Sequence, residues 1–179
     1  MKSLIILSLS LISFTLHAQS IGGLTYGGTG CPKGSMSYRF DPNERDLVLN
    51  YSKFTVRSGV GSTKSLDRKA CSLAVPIQVP AGYQLALATE SVGRAIVQSN
   101  GRATVNLEAF YAGSTGLKNS KVYRLGQHAV SIGDSANTLA WSPCGQAANL
   151  RMNLSAITQK DASLTLRQLR FMLLLRTCQ

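Results

Sequence analysis

The stretch that most constrains the fold is residues 70–89, ACSLAVPIQVPAGYQLALAT. Cys71, Leu73, Val75, Ile77 and Val79 occupy alternate positions, and Tyr83, Leu85 and Leu87 resume the alternation after a break. A period of two puts these side chains on one face of an extended chain, so the stretch reads as two strands that each bury one face. Between them lies Val79-Pro80-Ala81-Gly82, with Pro second and Gly fourth, which predicts a type I turn and a hairpin. Cys71 shares the apolar face, so a disulfide made there points into the core.

The alternation recurs along the chain. Residues 35–40 read as a strand. Residues 46–57 read as a long one, in which Leu47, Leu49 and Tyr51 keep one phase and Phe54 and Val56 the other, so a β-bulge is expected at Ser52-Lys53. Residues 58–68 form a polar loop, 92–98 a weak strand, and Ser99-Asn100-Gly101 a tight turn. Ala103, Val105, Leu107, Ala109 and Tyr111 alternate again; 112–120 is a loop and 122–132 a further strand. Leu150, Met152, Leu154 and Ala156 alternate against Asn149, Arg151, Asn153 and Ser155. The last strand is 169–177, and its apolar lead-in at 164–175 leaves a helix open. About nine short strands with no long helical pattern predict an all-β chain, an antiparallel β-sandwich.

Residues 1–18 read as a secretion signal: Lys2, an apolar run over 4–16, and Leu16-His17-Ala18 as a small-residue cleavage end. Residues 19–30 form a Gly-rich arm containing Gly22, Gly23, Gly27, Gly28 and Gly30, and 31–179 a single domain. Taking 18 residues from 179 leaves 161, enough for a proper core. Past the signal, no apolar run is long enough to serve as a transmembrane segment. Cys31, Cys71, Cys144 and Cys178 all lie in the mature chain, and an even count behind a signal predicts two disulfides and a secreted (extracellular) or periplasmic location. Three connectivities are open to four cysteines. No cysteine pair has the close spacing of a metal site, and no cofactor motif is present.

Catalytic patterns are sparse. His128 is the one histidine of the mature chain and has no nucleophile motif beside it, which suits a half-buried strand position better than a general base. Glycosidase chemistry needs two facing carboxylates, and Glu90 with Glu108 is the pair to watch. The whole chain carries 19 basic and 8 acidic residues, net +11. Two basic groups stand out: Arg57, Lys64, Arg68 and Lys69 in the first half, then Lys118, Lys121 and Arg124. Outside the cytoplasm such charge attracts anionic envelope or extracellular polysaccharide. Export and the scarcity of exposed aromatics among the basic residues argue against nucleic acid as the partner. The expected function is a non-enzymatic binding or structural module for anionic polymers. The alternatives are a small extracellular glycan hydrolase and an exported inhibitor or effector that binds a protein partner, for which loop 112–120 is the candidate surface.

Four motifs in order, Gly30-Cys31-Pro32-Lys33-Gly34-Ser35, Arg68-Lys69-Ala70-Cys71-Ser72-Leu73, Val79-Pro80-Ala81-Gly82-Tyr83-Gln84 and Trp141-Ser142-Pro143-Cys144-Gly145, resemble the secreted domain-of-unknown-function family number 4360. The resemblance runs from about Gly30 to Leu154. Ala70 stands where the family tends to have Asn, and its aromatic-rich strand is reduced to Phe110-Tyr111. The resemblance implies a small secreted β-sandwich without an established activity. It also implies a disulfide between Cys31 and Cys71, leaving Cys144 for Cys178.

Overall fold

Alternation sorts the side chains of each long strand into an apolar and a polar set, and the apolar sets meet between two antiparallel sheets. The computed structural model describes residues 23–41, 45–133, 139 and 141–178. The expected signal at 1–18 and part of the arm lie outside the described residues.

One sheet has five strands in the order β1 (Thr25–Gly27), β5 (Leu66–Ile77), β10 (Ala148–Gln159), β7 (Arg102–Tyr111) and β8 (Leu117–Tyr123). The other has β2 (Met36–Asp41), β3 (Asp46–Tyr51), β11 (Ala162–Thr177), β6 (Tyr83–Val97) and β9 (Gly126–Gly133), with β4 (Thr55–Ser58) also paired to β11. The fold is the expected antiparallel β-sandwich, with eleven strands among the described residues rather than about nine. Cys71, Leu73, Val75 and Ile77 of β5, Leu150, Met152 and Leu154 of β10, and Val105 and Leu107 of β7 line one side of the core. Leu47 and Leu49 of β3, Leu85 of β6, and Leu164, Leu169 and Phe171 of β11 line the other. Burial of these side chains is the main force holding the sheets together.

Residues 70–89 alternate as expected except at Tyr83, which is exposed rather than buried, and they make no hairpin. β5 pairs with β10 in one sheet and β6 with β11 in the other, so the chain crosses the sandwich between them. Alternation fixes which face a strand buries and leaves its partner open. The turn sits one residue later than the sequence suggests. The Tyr83 N–H donates to the Pro80 carbonyl at 3.1 Å and Gly82 has φ of +78°, which is type II geometry with Gly at its third position.

Four other expectations are corrected. The phase change near Ser52 is a break between β3 and β4, across which Phe54 is buried. The weak strand at 92–98 is the second half of β6; buried Thr89 and Ser91 interrupt its apolar pattern, and the Ser91 hydroxyl donates to the Gln168 carbonyl at 3.2 Å. Residues 122–132 divide between β8 and β9, which lie in different sheets; Leu125 is exposed at the crossing and Gly126 has φ of +125°. Residues 164–175 are strand throughout. Their inward phase moves from Leu164 and Leu166 to Leu169 and Phe171 across a register shift between Leu166 and Gln168, and that three-residue step imitates helical spacing.

The disulfides join Cys31 to Cys71, with Cα atoms 5.4 Å apart, and Cys144 to Cys178, at 5.9 Å. This is the pairing the resemblance implies.

Candidate functional site

The outer face of the five-stranded sheet carries the side chains that β5, β10, β7 and β8 turn away from the core. Strand register sets them in rows across the sheet. One row is Ser72, Asn153, Glu108 and Lys118. The next is Ala70, Ser155, Asn106 and Ser120, and beyond it come Arg68, Ile157, Thr104 and Val122. On the other side of the first row lie Ala74, Arg151 and Phe110.

The first row is joined end to end. The Ser72 hydroxyl donates to Asn153 Oδ1 at 2.9 Å, Asn153 Nδ2 donates to Glu108 Oε2 at 3.5 Å, and Lys118 Nζ lies 3.6 Å from Glu108 Oε1. In the second row, Asn106 Nδ2 donates to Ser155 Oγ at 3.3 Å. Lys118 is 78% exposed, so its pairing with Glu108 is weak and readily exchanged. A groove of about 470 Å³ runs over both rows, with Arg68 at its edge. A second hollow of about 400 Å³, lined by Thr25, Gly27, Ala74, Phe110 and Arg151, meets it at Ser72 and Asn153. The depression follows from small side chains: β5 turns Ala70, Ser72 and Ala74 outward, and β1 adds Gly27.

Of the seven basic residues singled out by sequence, only Arg68 and Lys118 line this groove. Arg57 is exposed on β4 in the other sheet. Lys64 holds Asp67 at 2.6 Å across the β4–β5 loop. Partial burial pushes Asp67 up, but the Lys64 ammonium and the N–H groups of Arg57 and Arg68 outweigh it and hold the carboxyl below its usual range. Lys69 donates to the Lys53 carbonyl at 2.9 Å, and Lys121 to the Ser131 carbonyl of β9 at 2.5 Å. Arg124 is exposed in the β8–β9 turn. Sequence reasoning missed Asn106 and Asn153 in the groove, and Arg151 and Phe110 in the hollow beside it. The signal was in the outward phases of the 103–111 and 149–156 alternations, which read as solvated surface until register sets β7 and β10 side by side.

Other sequence candidates fall elsewhere. Glu90 is on the outer face of the six-stranded sheet, where it accepts from the Ser131 hydroxyl at 2.9 Å, so Glu90 and Glu108 face opposite sides of the sandwich. His128 donates through Nε2 to the Arg124 carbonyl at 2.7 Å and packs on Tyr123, bracing the β8–β9 crossing. Among the described residues, no three His, Cys, Asp or Glu side chains group as metal ligands. The loop expected at 112–120 is shorter, because β8 begins at Leu117.

The family profile of a domain of unknown function, DUF4360, matches residues 17–169. The chain belongs to this family. An uncharacterized secreted protein of Arthroderma benhamiae is 28% identical to this DUF4360 chain over 138 residues, 74% of the chain and 56% of the relative. The chain therefore spans just over half of that relative's length. Two disulfides and a secreted relative agree with the expected export. No helix among the described residues is long and apolar enough to cross a membrane.

Solved structures that the chain matches loosely include TmCBM61 with β-1,4-galactotriose, at 9% identity and a TM-score of 0.32, covering 87% of this chain and 88% of that one. A family 11 carbohydrate-binding module from Clostridium thermocellum gives 10% identity, a TM-score of 0.20, and coverage of 82% and 95%. The enzymatically active domain of bacteriophage CBA120 tailspike protein 4 gives 13%, 0.24, and coverage of 87% and 19%. Superpositions this loose carry no argument about what the DUF4360 chain binds.

Proposed function

We propose that this DUF4360 chain is a non-enzymatic binding module for an extended anionic polysaccharide outside the cytoplasm, held on the outer face of its five-stranded sheet. One observation carries the reading: the joined row Ser72–Asn153–Glu108–Lys118 lies along the floor of a groove edged by Arg68.

A polymer laid along that row crosses the strands. Adjacent strands are about 4.8 Å apart, so the four side chains span roughly 14 Å. That spacing is close to the length of one hexose unit, so successive sugars meet successive polar side chains. Asn offers a donor and an acceptor on one group, as sugar hydroxyls require. Arg68, Lys118 and Arg151 outnumber the one carboxylate, Glu108, which selects an acidic chain over a neutral one. The sequence-based emphasis on both basic groups narrows to the two cations that reach the groove.

Polymannuronate is the probe: its β-1,4 chain is extended and each unit bears a carboxylate. In affinity electrophoresis the oxidised protein is retarded by polymannuronate at low salt and released at high salt. Asn153→Ala and the double variant Arg68→Ala/Lys118→Ala lose most of the retardation, whereas Lys64→Ala keeps it. Equal retardation of all four proteins rejects the groove as the site.

A further inference from the structure

We infer that the hollow over Phe110 and Arg151 is a sugar-stacking subsite that takes one uronate unit, prolonging the groove and setting how long a chain the protein prefers. This rests on the polysaccharide reading above and adds a second, separable contact.

The outward side chains of β7 are Arg102, Thr104, Asn106, Glu108 and Phe110. Four are polar and the fifth is an aromatic ring on a face that solvent reaches. Phe110 lines the hollow and is absent from the sandwich core. Its position is therefore not explained by packing between the sheets. Directly across the register stands Arg151, exposed on β10. A pyranose presents a C–H face and a polar rim; the ring of Phe110 suits the first. The planar guanidinium of Arg151 suits a carboxylate on the rim, which it can hold through two N–H bonds. The hollow, at about 400 Å³, falls within the usual range for small-ligand sites, about 300–1,000 Å³. Because it joins the groove at Ser72 and Asn153, a chain bound in the groove continues into it without leaving the sheet.

Gly27 supplies an independent handle. A Cβ built there meets nothing within 4 Å, and Gly27 forms part of the hollow's wall. Gly27→Phe therefore adds bulk at the hollow's wall while Phe110, Arg151 and the groove-lining residues keep their own side chains.

The test is calorimetric titration of wild type, Phe110→Ala and Gly27→Phe with trimannuronate and hexamannuronate. The subsite predicts that both variants weaken hexamannuronate about tenfold, as expected for one lost stacking contact, and leave trimannuronate unchanged. Hexamannuronate binding unchanged in both variants overturns the subsite and leaves the groove reading standing. Equal loss for both lengths also overturns it, since the hollow is then no separate contact. A wild-type protein that binds neither length overturns the polysaccharide reading, and the subsite with it.

Discussion

The two disulfides separate cleanly by access, and this makes their reduction a test of the structure. Cys31 and Cys71 are both fully buried in the core. Cys144 is exposed and Cys178 half-buried. Thiol–disulfide exchange needs an attacking thiolate to reach a sulfur, so dithiothreitol opens Cys144–Cys178 first. The cost follows from the loop each bond closes. Separations of 34 and 40 residues give, in the chain-entropy account, about 3.8 and about 3.9 kcal/mol. The two bonds are thus equal in loop closure and unequal in access. The native ends at Cys144–Cys178 stay together without the bond, because the Cys178 N–H donates to Gly82 O at 2.9 Å and the Gly145 N–H to Tyr83 O at 2.8 Å. Losing the bond therefore acts mainly on the unfolded chain. At about 2–4 °C per kcal/mol for a domain this size, Cys144→Ser/Cys178→Ser lowers Tm by about 8–15 °C. Scanning calorimetry reads that shift, and mass spectrometry of alkylated peptides reads the order of opening. Alkylation of Cys31 and Cys71 first, or a double variant melting within about 2 °C of wild type, refutes the reasoning.

Two further outcomes are expected. Burial raises the phenols of Tyr51 and Tyr111 above their ordinary range near about 10, so both ionise in the unfolded chain before the folded one. Stability is full below pH of about 10 and falls as pH rises beyond it; denaturant titrations at rising alkaline pH with an unchanged midpoint contradict this. Gly28 has φ of +140°, and a Cβ there would lie 2.3 Å from the Ala70 carbonyl oxygen. Gly28→Ala strains the backbone leading to Cys31 and costs more than about 1 kcal/mol in urea denaturation, so a variant as stable as wild type removes this explanation of the glycine.

Much of the sandwich was legible because alternation is a local property. Ala103 to Tyr111 and Leu150 to Ala156 show their buried faces directly in sequence. Pairing is not local, so residues 70–89 read as a hairpin when their arms belong to different sheets. The bulge in β11 was illegible for a related reason. Its room comes from Gly93 on β6, where a Cβ would lie 2.1 Å from the Thr165 carbonyl oxygen, and nothing near residue 167 signals that partner. The candidate site fared worst. Net charge pointed to Arg57, Lys64 and Lys69, which register takes away from the groove. The residues that build it, Ser72, Asn106 and Asn153, are uncharged and common on surfaces. They come together only when three strands far apart in sequence lie side by side.

The strand order has a consequence for how such a chain is made. β10 and β11 are the last two strands of this chain, yet each lies inside its sheet: β10 between β5 and β7, β11 between β3 and β6. A ribosome delivers the flanking strands first, and each has only its outer neighbour as a partner until the middle ones emerge. β1 with β5, β2 with β3, β6 with β9 and β7 with β8 can pair before β10 and β11 arrive, but each sheet stays in two halves until then. Such non-local topology folds slowly. Neither sheet is therefore complete until residues 148–177 have been made, so the sandwich closes on itself only after its last two strands have reached the far side of the export channel.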